Sequence, residues 1–106
     1  MPFATFSFLR GREVFPGITG HYVHLDHLTC GEVALIPGAV VATHQHPHEQ
    51  VTYVVSGRFE FTVGAETLIM EPGTCAVIPS GTPHSGRALT ACRVLDVFSP
   101  VREDYR

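Results

Sequence analysis

The stretch His44-Gln45-His46-Pro47-His48-Glu49-Gln50 gathers three imidazoles, a carboxylate and two amides into seven residues. Imidazole nitrogen suits zinc, iron, nickel or copper, and an amide oxygen can complete such a set. Residues i and i+2 of a strand share a face, so an extended 40–46 points His44 and His46 the same way. Gln50 follows the bend at Pro47 and opens another strand-like run, Gln50-Val51-Thr52-Tyr53-Val54-Val55. His84 follows a strand and a tight turn, Val77-Ile78-Pro79-Ser80-Gly81-Thr82-Pro83. Strands joined in this way can bring His44, His46, Gln50 and His84 together inside a barrel as ligands of one divalent metal ion. A lone histidine is usually a surface or core residue, and His84 after its Pro-Ser-Gly turn is what lifts the set above that reading. Pro47 disturbs the parity, which leaves His48 a secondary candidate at the rim and Glu49 less secure still. His21, His24 and His27 read as sheet-surface residues, His21 and His27 on one face of a strand and His24 on the other.

The elements that must position these side chains are short. Turn signals fall at Pro16-Gly17, Pro37-Gly38, Ser56-Gly57, Val63-Gly64, Pro72-Gly73, Pro79-Ser80-Gly81 and Ser85-Gly86. Strand-length pieces between them predict an all-β sandwich or barrel. Several alternate with period two: Phe59, Phe61 and Val63 oppose Arg58, Glu60 and Thr62, and Cys75 and Val77 oppose Ala76 and Ile78. Cys92, Val94, Asp96 and Phe98 share the face expected to look into the barrel. A Pro-Gly turn, an apolar strand and a histidine recur at 37–46 and 72–84, as two related halves of one barrel would produce.

Bulk properties narrow the class. A chain of 106 residues that is 44% apolar builds one core and not two. Only 16% of residues are charged, the net charge is −3 and lysine is absent, so no basic stripe exists to track nucleic acid. No segment has the length of a membrane span, and the N-terminus has no signal-peptide pattern. An odd set of three cysteines, Cys30, Cys75 and Cys92, with no C-x-x-C, suggests reduced core thiols in a cytoplasmic protein. The apolar residues Phe3, Phe6, Phe8 and Leu9 predict a homodimer in which an N-terminal strand contributes to the contact.

The two histidine motifs together resemble the cupin superfamily. Its first motif has a counterpart in Gly38, five residues, His44-Gln45-His46, three residues, Gln50, six residues and Gly57. The second has one in Gly73, five residues, Pro79-Ser80-Gly81, two residues and His84, with Ala88 where the family's asparagine stands. The resemblance spans about 33 to 99. It implies one RmlC-like cupin domain over 1–106, a double-sheet jelly-roll β-barrel with its core at about 33–99 and an N-terminal strand region at 1–32. Gln50 stands in place of the usual glutamate, which leaves a bound ion more cationic and more attractive to an anionic ligand.

A narrower resemblance, carried by 46–64 and by the tail Leu95-Asp96-Val97-Phe98-Ser99-Pro100-Val101-Arg102-Glu103-Asp104-Tyr105-Arg106, is to the KdgF-type cupins of pectin degradation. It implies linearisation of 4,5-unsaturated uronate monosaccharides to 5-keto-4-deoxyuronates. The metal set would be His44, His46, Gln50 and His84, holding nickel, zinc, manganese or iron. Asp96 would be catalytic, and Phe98 and Arg102 would bind substrate. These residue types suit the chemistry: a carboxyl beside a metal and an apolar ring moves protons, and a guanidinium fork grips a carboxylate. For Arg102 the competing reading is an ion pair with Glu103, Asp104 or another subunit. Two other classes stay open, a metal-dependent oxygenase acting on a small anion and a non-catalytic module that binds a sugar or effector.

Overall fold

A computed structural model describes residues 2–106. Ten strands follow one another: β1 (Arg12–Phe15), β2 (Ile18–His24), β3 (Thr29–Leu35), β4 (Val40–His44), β5 (Glu49–Ser56), β6 (Phe59–Val63), β7 (Glu66–Met70), β8 (Cys75–Ile78), β9 (His84–Ala88) and β10 (Cys92–Ser99). They form a six-stranded sheet, β1-β2-β3-β10-β5-β8, and a four-stranded sheet, β4-β9-β6-β7. Every pairing is antiparallel. The fold is all-β, as the turn spacing predicts. The last strand, β10, lies between β3 and β5, so it is central in the larger sheet.

Period-two alternation decides what faces inward. Along β5, Gln50, Thr52 and Val54 are buried, and Glu49, Val51, Tyr53 and Val55 are exposed. Across the register they meet Phe98, Asp96 and Val94 of β10. Ile18, Val33, Leu35, Val54, Phe59, Phe61, Met70, Ile78 and Val94 fill the space between the sheets.

Six of the seven expected turns carry a glycine at positive φ, which other L-residues adopt at a cost. The seventh, Ser85-Gly86, is no turn: both residues lie inside β9. Gly86 serves packing instead, because a Cβ there would come within 2.7 Å of both the Phe59 and Phe61 rings.

Other expectations are corrected at the edges. Phe6–Phe8 forms a 3-10 turn, closed by Phe8 N–H to Thr5 O and Leu9 N–H to Phe6 O. The region 1–32 therefore begins its strands only at Arg12, and Phe3 and Phe8 stand exposed. His27 lies beyond the end of β2, in the turn where Leu25 N–H bonds Leu28 O, and shares no strand face with His21. Only Cys92 is a core thiol. Cys30 is half-buried and Cys75 is exposed, since it takes the outward parity of the edge strand β8. Among the described residues no helix is long and apolar enough to cross a membrane.

Candidate metal centre and pocket

His44 ends β4 and His84 begins β9, where the two face each other in the ladder. The strand stops at His44, two residues short of the expected 46. His46 still turns its ring toward the other two, and Gly81 N–H bonds the His46 carbonyl at 2.8 Å. That bond ties the second motif's turn to the first motif. Ring centroids lie 4.2 Å apart for His44 and His84, 4.9 Å for His46 and His84, and 5.5 Å for His44 and His46. One nitrogen from each falls within 4.8 Å of the others.

Each ring is oriented by a backbone carbonyl two residues away. Nδ1 of His44 donates to Ala42 O at 2.8 Å, Nδ1 of His84 to Thr82 O at 2.8 Å, and Nδ1 of His46 to His48 O at 3.0 Å. This tautomer leaves a lone pair on every Nε2, the arrangement by which outer hydrogen bonds fix a ligating imidazole. The His84 Nε2 is buried without a partner. The His46 Nε2 faces Gln50 Oε1 at 2.9 Å. With Nδ1 already protonated, that contact sets one acceptor against another, and a cation placed between them resolves it. Burial pushes the His84 imidazole down to about 4, His44, His46 and Arg102 adding to the effect against the bond to Thr82. Burial also lowers His46, with the positive charge of Arg102 next in weight. Neutral imidazoles with free Nε2 lone pairs are what a transition metal takes. The cluster of His44, His46 and His84 can hold such an ion.

A hydrogen-bonded chain runs from this cluster into the barrel. Gln50 Nε2 donates to Thr52 Oγ1 at 2.9 Å, and Thr52 Oγ1 donates to Asp96 Oδ1 at 2.7 Å. Burial pushes the Asp96 carboxyl up to about 6, against the opposing hydrogen bonds of Thr52 and Gln50 and the charge of Arg102. Phe98, the neighbouring inward-facing residue of β10 on the Gln50 side of Asp96, sets its ring 5.9 Å from His46.

Arg102 closes the wall and is buried. Its guanidinium lies 4.7 Å from the Phe98 centroid and 3.9 Å from that of Tyr105. One edge, Nε and Nη2, grips Asp104 at 3.0 and 2.8 Å, so the ion-pair reading of Arg102 accounts for half of its fork. Its backbone N–H bonds Thr29 Oγ1. Tyr22 stacks on Tyr105 at 4.8 Å, its ring lying where a Cβ on Gly31 would collide. Burial, then Asp96, then Tyr105 raise the Tyr22 phenol, which stays protonated.

The sequence-derived residues His44, Gln50, His84, Asp96, Phe98 and Arg102 all line one pocket. His48 does not join the cluster. Its Nε2 donates to Val101 O at 3.2 Å, and its Nδ1 is buried without a partner. Thr52, Tyr22 and Tyr105 were not among the residues singled out from sequence. Thr52 was legible in principle, two residues after Gln50 and on its face. Tyr105 sits in a 3-10 turn, Glu103–Tyr105, which no periodicity announces.

Residues 31–98 match the cupin domain family, and the chain belongs to that family. It is 35% identical to KdgF from a Halomonas species, whose structure superposes with a TM-score of 0.92 over 100% of this chain and 99% of that one. An RmlC-like cupin from Shewanella frigidimarina matches at 25% identity and a TM-score of 0.94, over 100% and 96% of the two chains. An uncharacterised Streptomyces coelicolor protein is 36% identical over 75 residues, 70% of this chain and 71% of that protein.

Proposed function

We propose that this cupin linearises 4,5-unsaturated uronate monosaccharides to 5-keto-4-deoxyuronates. The observation that carries the reading is a carboxyl, Asp96, raised to about 6 and joined through Thr52 to Gln50, whose Oε1 faces Nε2 of His46 in the cluster of three imidazoles. Similarity to KdgF adds to it. His44, His46 and His84 through Nε2, and Gln50 through Oε1, would hold one divalent transition metal, nickel, zinc, manganese or iron. When bound, the ion supplies Lewis acidity toward the sugar oxygens.

The reaction moves one proton and rearranges bonds without loss of atoms. The bond between C1 and the ring oxygen breaks, the C1 hydroxyl loses its proton and C1 becomes an aldehyde. The ring oxygen stays on C5 as an enolate oxygen, and the same proton delivered to C4 converts it to the 5-keto product. Asp96 takes that proton from the C1 hydroxyl and returns it to C4, which a carboxyl poised near neutrality does well. The free Nη1 side of Arg102 meets the uronate carboxylate while Asp104 and the Phe98 and Tyr105 rings hold the guanidinium in place. Phe98 packs against the sugar, and the protonated Tyr22 phenol offers it a donor.

Spontaneous ring opening also consumes the substrate, so the test is acceleration over buffer. Metal-loaded protein is expected to hasten loss of the C4=C5 ultraviolet band. Asp96→Asn lowers kcat by about 100-fold or more with KM little changed, and Arg102→Lys mainly raises KM. Wild-type protein no faster than buffer on any unsaturated uronate would sink the reading.

The same reading includes a cytoplasmic homodimer. Three free thiols fit a reducing compartment. An apolar row, Val77, Val51, Val97 and Cys30, crosses the outer face of the larger sheet in register, and sheet faces of this kind pack on their own copy. A monomer mass by light scattering at micromolar concentration would count against the dimer.

A further inference from the structure

Thr52 has one hydroxyl proton and two neighbours that could receive it. It is 2% exposed, on β5 two residues from Gln50 and directly across from Asp96. The proton goes to Asp96 Oδ1 at 2.7 Å. Thr52 Oγ1 can then only accept from Gln50, and it does so from Nε2 at 2.9 Å. An amide whose nitrogen is held on one side presents its oxygen on the other, and Oε1 lies 2.9 Å from His46 Nε2. Turned over, the amide would donate its own N–H to the His46 lone pair. The imidazole would be satisfied without a cation, and no amide oxygen would face the cluster. That orientation requires Thr52 to donate to Gln50, and the Asp96 carboxyl has already taken the proton.

We propose that Thr52 is a positioning residue that fixes which end of the Gln50 amide faces the imidazole cluster, and so makes Gln50 an oxygen ligand. This rests on the reading of Gln50 as a metal ligand. It requires no particular substrate. A hydroxyl is needed because it accepts from one neighbour while donating to the other; a methyl of the same shape does neither. Glutamate at position 50 would need no such control, since either carboxylate oxygen serves. The glutamine that distinguishes this chain from the common cupin motif therefore creates the need for Thr52.

The test is equilibrium binding of Ni2+ to metal-free protein by calorimetry, with the visible spectrum of the Co2+-loaded protein as a second readout. Thr52→Val is expected to weaken Ni2+ binding by about 10-fold or more, the range seen when an outer partner of a ligand is removed, and to alter the Co2+ bands. Thr52→Ser restores the hydroxyl and is expected to bind within about threefold of wild type. In a Gln50→Glu background the Thr52→Val effect is expected to shrink to within about twofold. An undiminished effect there would reveal a merely structural role and overturn the proposal. So would wild-type affinity and spectrum in Thr52→Val. Gln50→Ala separates the two failures. If Gln50→Ala binds weakly and Thr52→Val does not, Thr52 alone is misread. If neither loses affinity, Gln50 is no ligand and both readings fall. Should Thr52→Val not fold, Thr52→Ala takes its place in the same comparison.

Discussion

The two ends of the barrel are built on the same pair of strands and hold opposite chemistry. At the closed end Val54 of β5 meets Val94 of β10, with Phe59, Leu35 and Cys92 around them, all buried. At the open end Gln50 meets Phe98 and Thr52 meets Asp96, in the same register and with the same inward parity. The ladder is regular from Val94 to Ser99, with an irregularity only beyond Val94, between it and Arg93, so side-chain identity sets the chemistry of these positions. The closed end gains from each apolar side chain removed from water, about 1.5–3 kcal/mol for a Val, Leu or Phe. The open end buries polar groups, each costing about 1–3 kcal/mol if left unbonded. The chain Gln50–Thr52–Asp96 offsets much of that cost, and the unpartnered Nε2 of His84 does not. The closed end is filled by apolar packing, while the open end sets polar groups, His84 Nε2 among them, where a ligand could meet them.

Breaking the closed end is expected to have the largest effect. Phe59→Ala opens a cavity against Phe61 and Gly86 and is expected to cost about 3–5 kcal/mol, read as a lower denaturation midpoint. The metal site then fails only because the protein unfolds. Breaking the open end does the reverse. His84→Ala is expected to cut metal affinity on the order of 100-fold or more while the metal-free protein keeps most of its stability, which calorimetric titration and thermal unfolding together check. His48→Ala, outside the cluster, is expected to leave affinity within about threefold.

The finest contrast is in pH, within the open end itself. His84 is held down at about 4, against an ordinary 6.5. Its contribution to metal-free stability is present above 6.5 and is lost as pH falls toward 4. Asp96 is held up at about 6, against an ordinary 3.8. Its contribution has the opposite sign, present below 3.8 and lost as pH rises through 6. The two oppose each other across this window. Asp96→Asn removes one of them, so its denaturation midpoint is expected to fall more steeply than wild type between pH 6.5 and 4. Parallel slopes would show that the pair is not opposed.

Much of this was legible in the sequence because strands write their facing directly as period two. The inward sets of β6 and β10 and the six positive-φ glycines followed from alternation and turn chemistry. The convergence of His44, His46 and His84 followed from two motifs whose spacing matches. What stayed hidden depends on partners far away in the chain. Ser85-Gly86 looks like a turn until the Phe59 and Phe61 rings are seen to need its missing side chain. Phe6 and Phe8 alternate like a strand, but no neighbouring strand receives them, and the backbone closes on itself in a 3-10 turn. Arg102 lines the pocket, while its bidentate hold on Asp104 and its seat against Tyr105 depend on a turn that carries no periodic signal.

The insertion of β10 between β3 and β5 has a consequence for how the molecule is made. Until β10 emerges from the ribosome, β3 and β5 have no common partner and each presents an open edge, the kind of surface that pairs with foreign strands. Closing the sheet requires contacts such as Phe98 with Thr29, far apart along the chain, and such closure is slow. Val77, Val51 and Tyr53 are laid down before it, on the half-sheet of β5 and β8. The nascent chain therefore passes through a stage rich in exposed valine and unpaired backbone, and yield at high expression should depend on temperature and chaperone supply more than the finished barrel's stability suggests.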